Sequence, residues 1–135
     1  MKNTIIKFIS ILMFLCLLVG CENRKVSVKV VVTYWNGWDS EYVSPVEEHE
    51  FEFEESKSYE IPANFGDFQL VVTITKISDT EITITTNEAM CISENGSMNL
   101  TEAKLNFTIA IDEGLKLVTP TLDEGAYYEF SVNPK

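Results

Sequence analysis

The residues after Lys25 predict an all-β fold, a single antiparallel β-sandwich, and three observations carry that expectation. Apolar side chains recur at every second residue rather than every 3.6, as in Val26, Val28, Val30, Val32 and Tyr34. Strand-like runs of this kind return at intervals of about 8–12 residues, with turn-forming residues between them. No window of ten or more residues in this part of the chain carries a helical stripe. One domain over residues 26–135 is expected, because there is no internal repeat and no shift of composition. About 110 residues suffice for a core of their own.

The first strand is the longest alternating run. Val26, Val28, Val30, Val32 and Tyr34 form one face, and Ser27, Lys29, Val31, Thr33 and Trp35 the other. Asn36-Gly37 favours a tight two-residue hairpin. Such a hairpin would pair Trp35 with Trp38, Tyr34 with Asp39 and Val32 with Glu41, placing carboxylates on the apolar face. A short turn or bulge and then a loop through about Pro45 is therefore expected. Glu50-Phe51-Glu52-Phe53-Glu54 is the second strand, with both Phe on one side, and Tyr59 and Ile61 continue an extended stretch that Pro62 ends. Phe68, Leu70, Val72 and Ile74 form a fourth set. The turn Ser78-Asp79-Thr80 then leads into Glu81-Ile82-Thr83-Ile84-Thr85, so residues 67–86 read as a hairpin with a threonine-rich outer face. Asn95-Gly96 is a turn signal in a polar segment. Leu105, Phe107, Ile109 and Ile111 alternate again. Asp112-Glu113-Gly114 turns the chain into Leu115-Lys116-Leu117-Val118, Pro120 interrupts it, and Tyr128, Phe130 and Val132 make the last strand.

The N-terminus has a different character. Ile5 to Val19 is an apolar run of 15 residues with Lys2 and Lys7 at its start, shorter than the ~18–20 residues of a permanent span. A basic start, a short apolar stretch and a small residue at position 20 describe a secretory signal. Leu18-Val19-Gly20-Cys21 resembles the lipobox of bacterial lipoprotein precursors. That resemblance implies that Cys21 is lipidated and becomes the first mature residue. Two acyl chains, at ~0.8 kcal/mol per buried methylene, give stable attachment. The protein would then sit on the outer face of the cytoplasmic membrane, or on the periplasmic side where there is an outer membrane. An uncleaved signal anchor, with Ile5 to Cys21 as a tilted span, is the competing reading. Glu22 follows the cysteine, where an Asp is associated with inner-membrane retention in some Gram-negative systems. The expected organisation is a signal peptide over 1–20, the lipidated Cys and a short tether over 21–25, and the β-domain over 26–135. Residues 22–25 reach roughly 13 Å, so the domain should rest close to the head groups.

A second, local resemblance concerns Asp123-Glu124-Gly125-Ala126-Tyr127. It is similar to the D-x-G/A-x-Y run that enters a late strand of immunoglobulin-type domains. The resemblance implies an immunoglobulin-like sandwich with Tyr127 as a corner residue bonded to upstream backbone. The chain departs from the pattern at Glu129, where antibody-type domains place a disulfide cysteine, and the strand is the last one.

Charge narrows the function. The whole chain carries −11, and loss of residues 1–20 removes Lys2 and Lys7, leaving eight basic and 21 acidic residues and a net charge of −13. Nucleic acid is excluded as a partner, because phosphate binding needs a basic face. A lipid-binding protein surface is disfavoured equally, Arg24 and Lys25 beside the anchor excepted. A neutral glycan, a basic protein or peptide, or a divalent metal would suit this charge, as would solubility alone. Cys16 lies in the signal and Cys21 is the lipid site, which leaves Cys91 without a disulfide partner in the mature chain. With no basic neighbour, Cys91 reads as a small buried hydrophobe rather than a reactive thiol.

Two groups of residues are candidates for binding. Trp35, Trp38, Asp39 and Tyr42 place aromatic rings and acceptors, Glu41 among them, around one loop. Their rings would stack on sugar faces or grip a peptide, or else the two Trp cap the end of the core. Glu48, Glu50, Glu52 and Glu54 share one face of a strand, side chains ~7 Å apart, with Glu47 and Glu55 flanking. That row would recruit a basic peptide or, weakly, calcium, or simply protect a solvated edge strand. His49 is the only histidine, which speaks against zinc. There is no nucleophile elbow and no glycine-rich phosphate loop, and carboxylate pairs carry no information in so acidic a chain. The expectation is a monomeric, non-catalytic binding or accessory module of the cell envelope, with no cofactor and no metal, held to the membrane by its lipid. An inhibitor or decoy for a cationic protein such as a lysozyme-like enzyme is the alternative, and a structural envelope protein without a ligand the third reading.

Overall fold

A computed structural model describes residues 24–62 and 69–133. The signal segment, the lipobox with Cys21, and Phe68 lie outside the described residues. Among the described residues nine strands follow in order: β1 (Lys25–Asn36), β2 (Val46–Glu54), β3 (Ser58–Ile61), β4 (Leu70–Ile77), β5 (Glu81–Glu94), β6 (Ser97–Met98), β7 (Lys104–Ala110), β8 (Leu115–Val118) and β9 (Glu124–Val132), with a 3-10 turn at Leu100–Glu102. The fold is all-β, and the pairings of these strands are antiparallel.

The strands form one nearly closed sheet in the order β2-β1-β9-β8-β5-β4-β3, with β6 and β7 also paired to β5. Its two ends, β2 and β3, are consecutive in the chain. The turn between them is anchored on β4, where Ser56 N–H donates to Ile74 O and Ile74 N–H to Lys57 O, both at 2.8 Å. Tyr59 closes the seam. Its hydroxyl donates to Glu52 O at 2.7 Å and accepts from Glu54 N–H at 2.9 Å, while its ring lies 4.8 Å from that of Phe53. This seam covers part of the backbone edge that β2 would otherwise present.

Strand β5 makes the wrapping possible. Its first half lies between β4 and β7, with Ile84 opposite both Ile74 and Phe107. The register then shifts between Thr85 and Met90, and Cys91 and Ile92 pair instead with Val118 and Leu117 of β8. A bulge bends a strand and strengthens its twist, which carries β5 from one side of the sheet to the other. The alternation in the sequence stops near residue 86 because of this bulge, while the strand itself runs to Glu94. Leu105 falls in the same register gap and is exposed, although Phe107 and Ile109 of its alternating set are buried. Asn95 and Gly96, both at positive φ, form the two-residue turn from β5 to β6.

One core fills the sheet. Val28, Val30, Val32 and Tyr34 of β1 meet Phe53, Val72, Ile74, Ile82, Ile84, Phe107, Ile109, Leu117, Tyr128 and Phe130. The predicted inner face of the first strand is therefore the buried one, and residues 37–45 are the predicted loop. The resemblance to an immunoglobulin corner does not hold at Tyr127. Alternation along β9 sends Ala126, Tyr128 and Phe130 inward, so Tyr127 faces outward. Its ring lies 6.4 Å from Trp35 and 5.0 Å from Lys116 Nζ, and among the described residues its hydroxyl bonds to no upstream backbone. Strand β9 also lies between β1 and β8 rather than at an edge.

Candidate functional site

The site grows from the end of β1. Parity along the strand buries Tyr34 and puts Trp35 on the outer face, half-buried against Tyr127 and opposite Gly125 of β9. The chain then leaves the strand. Asn36 Oδ1 accepts from Trp38 N–H at 2.9 Å and from Asp39 N–H at 3.2 Å, an Asx turn in place of the hairpin that Asn-Gly otherwise favours. Asp39 repeats the device, taking Glu41 N–H on Oδ1 at 2.9 Å and Tyr42 N–H on its carbonyl at 3.2 Å. Tyr34 N–H donates to Pro45 O at 3.1 Å, which fastens the far end of the loop.

A second loop, between β8 and β9, packs beside the first because β1 and β9 pair up to Asn36 and Glu124. Gly37 N–H donates to Asp123 O at 2.6 Å. A Cβ on Gly37 would stand 3.1 and 3.2 Å from Asp123 O and Leu122 O, so a larger residue would press these carbonyls back by a few tenths of an ångström. The second loop is braced from within. Thr119 N–H donates to Ala126 O, and Ala126 N–H to Thr119 Oγ1, each at 3.1 Å. The Thr121 hydroxyl donates to Glu124 O.

These braces leave large apolar side chains in water. Trp38 is 78% exposed and Leu122 73%, and together with Thr121, Asp123 and Glu124 they line an open groove of about 660 Å³. Val43, at 85%, stands on the same β1–β2 loop, and Tyr42 is exposed beside it. Residues 37–47 and 119–124 include Asp39, Glu41, Glu47, Asp123 and Glu124 and no Lys or Arg. The groove thus combines apolar Trp38 and Leu122 with the carboxylates of Asp123 and Glu124, and the loops around it are acidic. From Lys25 to Asn36 the strand rises about 36 Å, so this tip is remote from the start of β1. Four of the basic residues, Arg24, Lys25, Lys57 and Lys76, sit toward that opposite end, where Arg24 pairs with Asp79 at 2.8 Å.

The candidate residues therefore separate. Trp38, Asp39 and Tyr42 stand on the tip, whereas Trp35 packs against the outer face of the sheet. Leu122, Asp123 and Glu124 complete the groove and were not among the sequence candidates. The break at Pro120 and Asp123-Glu124-Gly125 marks a turn there, but only the pairing of the first and last strands brings it to Trp38. The acidic row lies on β2, at one end of the strand order, and is partly neutralised. Lys29 Nζ is 2.8 Å from Glu48, while Glu54 is met by Lys57 at 2.7 Å and by Lys25 at 3.9 Å. Glu50 and Glu52 face solvent. His49 Nε2 is 3.4 Å from Glu47 Oε2 on the Phe51 face. Cys91 is buried with Sγ 3.3 Å from Asn99 O, and desolvation pushes its thiol above the ordinary range. Among the described residues no group of three or more His, Cys, Asp or Glu is placed to hold a metal ion. Comparison with protein-family models, with curated proteins and with solved structures finds no match, so the tip is characterised by its own geometry.

Proposed function

We propose that the chain is a bacterial lipoprotein, lipidated at Cys21 and held at the outer face of a membrane, whose β-domain is a non-catalytic binding module of the cell envelope. The wrapped sheet is read as a sandwich in which β5 changes layer, without the immunoglobulin corner. The observation that carries the reading is the tip, where Trp38 and Leu122 are held in water by two braced loops. Exposed apolar groups concentrated at one place mark an interaction site more than scattered ones do. The tether supports the same orientation. It meets β1 at the end remote from the tip, among basic residues that suit anionic lipid, and so directs the groove away from the membrane.

Two experiments test this. Lipid incorporation should be lost on Cys21→Ser, and lipid that persists in that variant would overturn the anchor. For the tip, labelled probes of three chemistries (a peptide alternating Lys and Leu, a neutral chito-oligosaccharide, a mixed micelle containing anionic lipid) are titrated against the full chain in non-ionic detergent. At least one should bind wild type and lose affinity on Trp38→Ala at unchanged melting temperature. Binding by none of them would refute the tip as a site.

A further inference from the structure

We propose that the groove between Trp38 and Leu122 seats a cationic, apolar segment of a protein or peptide, one that offers Lys or Arg beside aliphatic or aromatic side chains. The inference rests on the reading of the tip as the binding end and names its partner. An inhibitor or decoy for a cationic protein is one form this function takes.

The centre of the groove asks for apolar contact. Trp38 and Leu122 are among the most exposed large hydrophobic residues, and Val43 adds aliphatic surface on the same loop. The rim asks for positive charge. Asp123 and Glu124 line the groove with these side chains, Asp39 and Glu41 lie on the same loop as Trp38, and neither loop contains a Lys or Arg to neutralise them. The exposed indole face attracts cations as well. An occupant that satisfies one demand alone leaves the other unpaired.

Competing occupants fit less well. A neutral glycan would stack on Trp38 and hydrogen-bond to the free carboxylates of Asp123 and Glu124, but it would leave their charge unpaired. An anionic membrane would be repelled by the carboxylates of the two loops. The Glu row on β2 is a poorer seat for a cation than the tip, because Lys29, Lys25 and Lys57 already engage Glu48 and Glu54, and the smaller groove lined by Glu50 and Glu52, about 340 Å³, has Lys25 in its wall.

The test is a fluorescence-anisotropy titration of the full chain in non-ionic detergent with two labelled peptides, one alternating Lys with Leu and one alternating Lys with Ser. The Lys/Leu peptide should bind, and the Lys/Ser peptide at least about 10-fold more weakly, since it lacks the apolar half. Trp38→Ala should weaken Lys/Leu binding by about 30-fold or more, the loss expected at the centre of an interface. Leu122→Ser should act in the same direction, and Asp123→Asn with Glu124→Gln should weaken binding and flatten its fall with added salt. All three variants keep the wild-type melting temperature, because each alters exposed side chains. Equal binding of both peptides, or Lys/Leu binding that none of these substitutions changes, would overturn the proposal. Binding of a chito-oligosaccharide with silence toward Lys/Leu would overturn the partner class and leave the tip standing as a site. Silence toward every probe would overturn both.

Discussion

The base of the tip depends on a glycine whose replacement can be worked out in detail. Gly125 sits in β9 opposite Trp35, and its backbone lies outside the left-handed region. Space, not φ, requires glycine there. A Cβ would stand 2.0 Å from Thr119 Oγ1, 2.8 Å from Thr121 Oγ1 and 3.0 Å from Trp35 Cζ2. In Gly125→Ala the Thr119 hydroxyl must move, and it is the acceptor of the Ala126 N–H at 3.1 Å within a buried stretch. A buried donor left unpaired costs about 1–3 kcal/mol, and overpacking costs a similar amount. Together they give about 2–6 kcal/mol, and at roughly 4 °C per kcal/mol for a domain of this size the melting temperature falls by about 8–24 °C.

The mechanism makes a second, sharper claim. Thr119→Ala alone gives up the same hydrogen bond and should cost about 1–3 kcal/mol. In the double variant the alanine Cβ at 125 occupies the space that the hydroxyl vacated. The two losses should then fail to add, and the double variant should be at least as stable as Gly125→Ala. Thermal melts by circular dichroism, with urea titrations to check that the slope is unchanged, measure all three. A fall of less than about 3 °C for Gly125→Ala, or losses that sum, would refute the packing argument.

Three further outcomes are expected. Gly114→Ala should cost about 2–4 kcal/mol, because Gly114 has φ +76° and its Cβ would meet Phe130 O at 2.4 Å; an unchanged melting temperature would contradict this. Trp38→Phe should remove the red-shifted, acrylamide-quenchable part of the emission with stability changed by no more than about 0.5 kcal/mol, while Trp35→Phe should remove the protected part, and equal quenching in the two variants would refute the assignment of Trp38 as the exposed ring. Burial, aided by Tyr34 and Glu88, raises the Tyr128 phenol well above its ordinary value of 10.0. Its contribution to stability is thus complete below pH 10 and lost as pH rises from there toward the higher folded value. Urea midpoints should fall more steeply above pH 10 in wild type than in Tyr128→Phe, and parallel curves would count against it.

What the sequence disclosed follows from parity. Period-two alternation locates strands whose two faces meet different surroundings, and β1, β2, β4 and β9 were legible for that reason. Alternation fails at a bulge, so the second half of β5 was hidden behind Asn87, Glu88 and Ala89, where the register shifts. The local match at Asp123–Tyr127 was misleading for the opposite reason. It records a turn entering a strand, but the face on which Tyr127 lands is set by the register of β9 against β1, and Ala126 and Tyr128 take the inner positions.

The tip shows the same division at the level of function. Trp35 and Trp38 are three residues apart, and composition treats them alike. Trp35 is still within the strand and finds a ring to lie against, whereas Trp38 follows the Asx turn at Asn36 and has left the sheet. That contrast was implicit in the conflict which ruled out a regular hairpin. The other half of the groove was not, since Leu122 lies some 80 residues further along and reaches Trp38 only because Asn36 and Glu124 are paired. The bracing then bears on affinity. A loop that must order on binding loses about 0.5–1.5 kcal/mol per immobilised side chain. Here Asn36, Gly37 and Asp39 fix one loop, and Thr119 and Thr121 the other, before any partner arrives. Two loops braced in this way keep Trp38 and Leu122 exposed with little left to order on contact, and that is the physical ground for the proposal that the tip takes a partner.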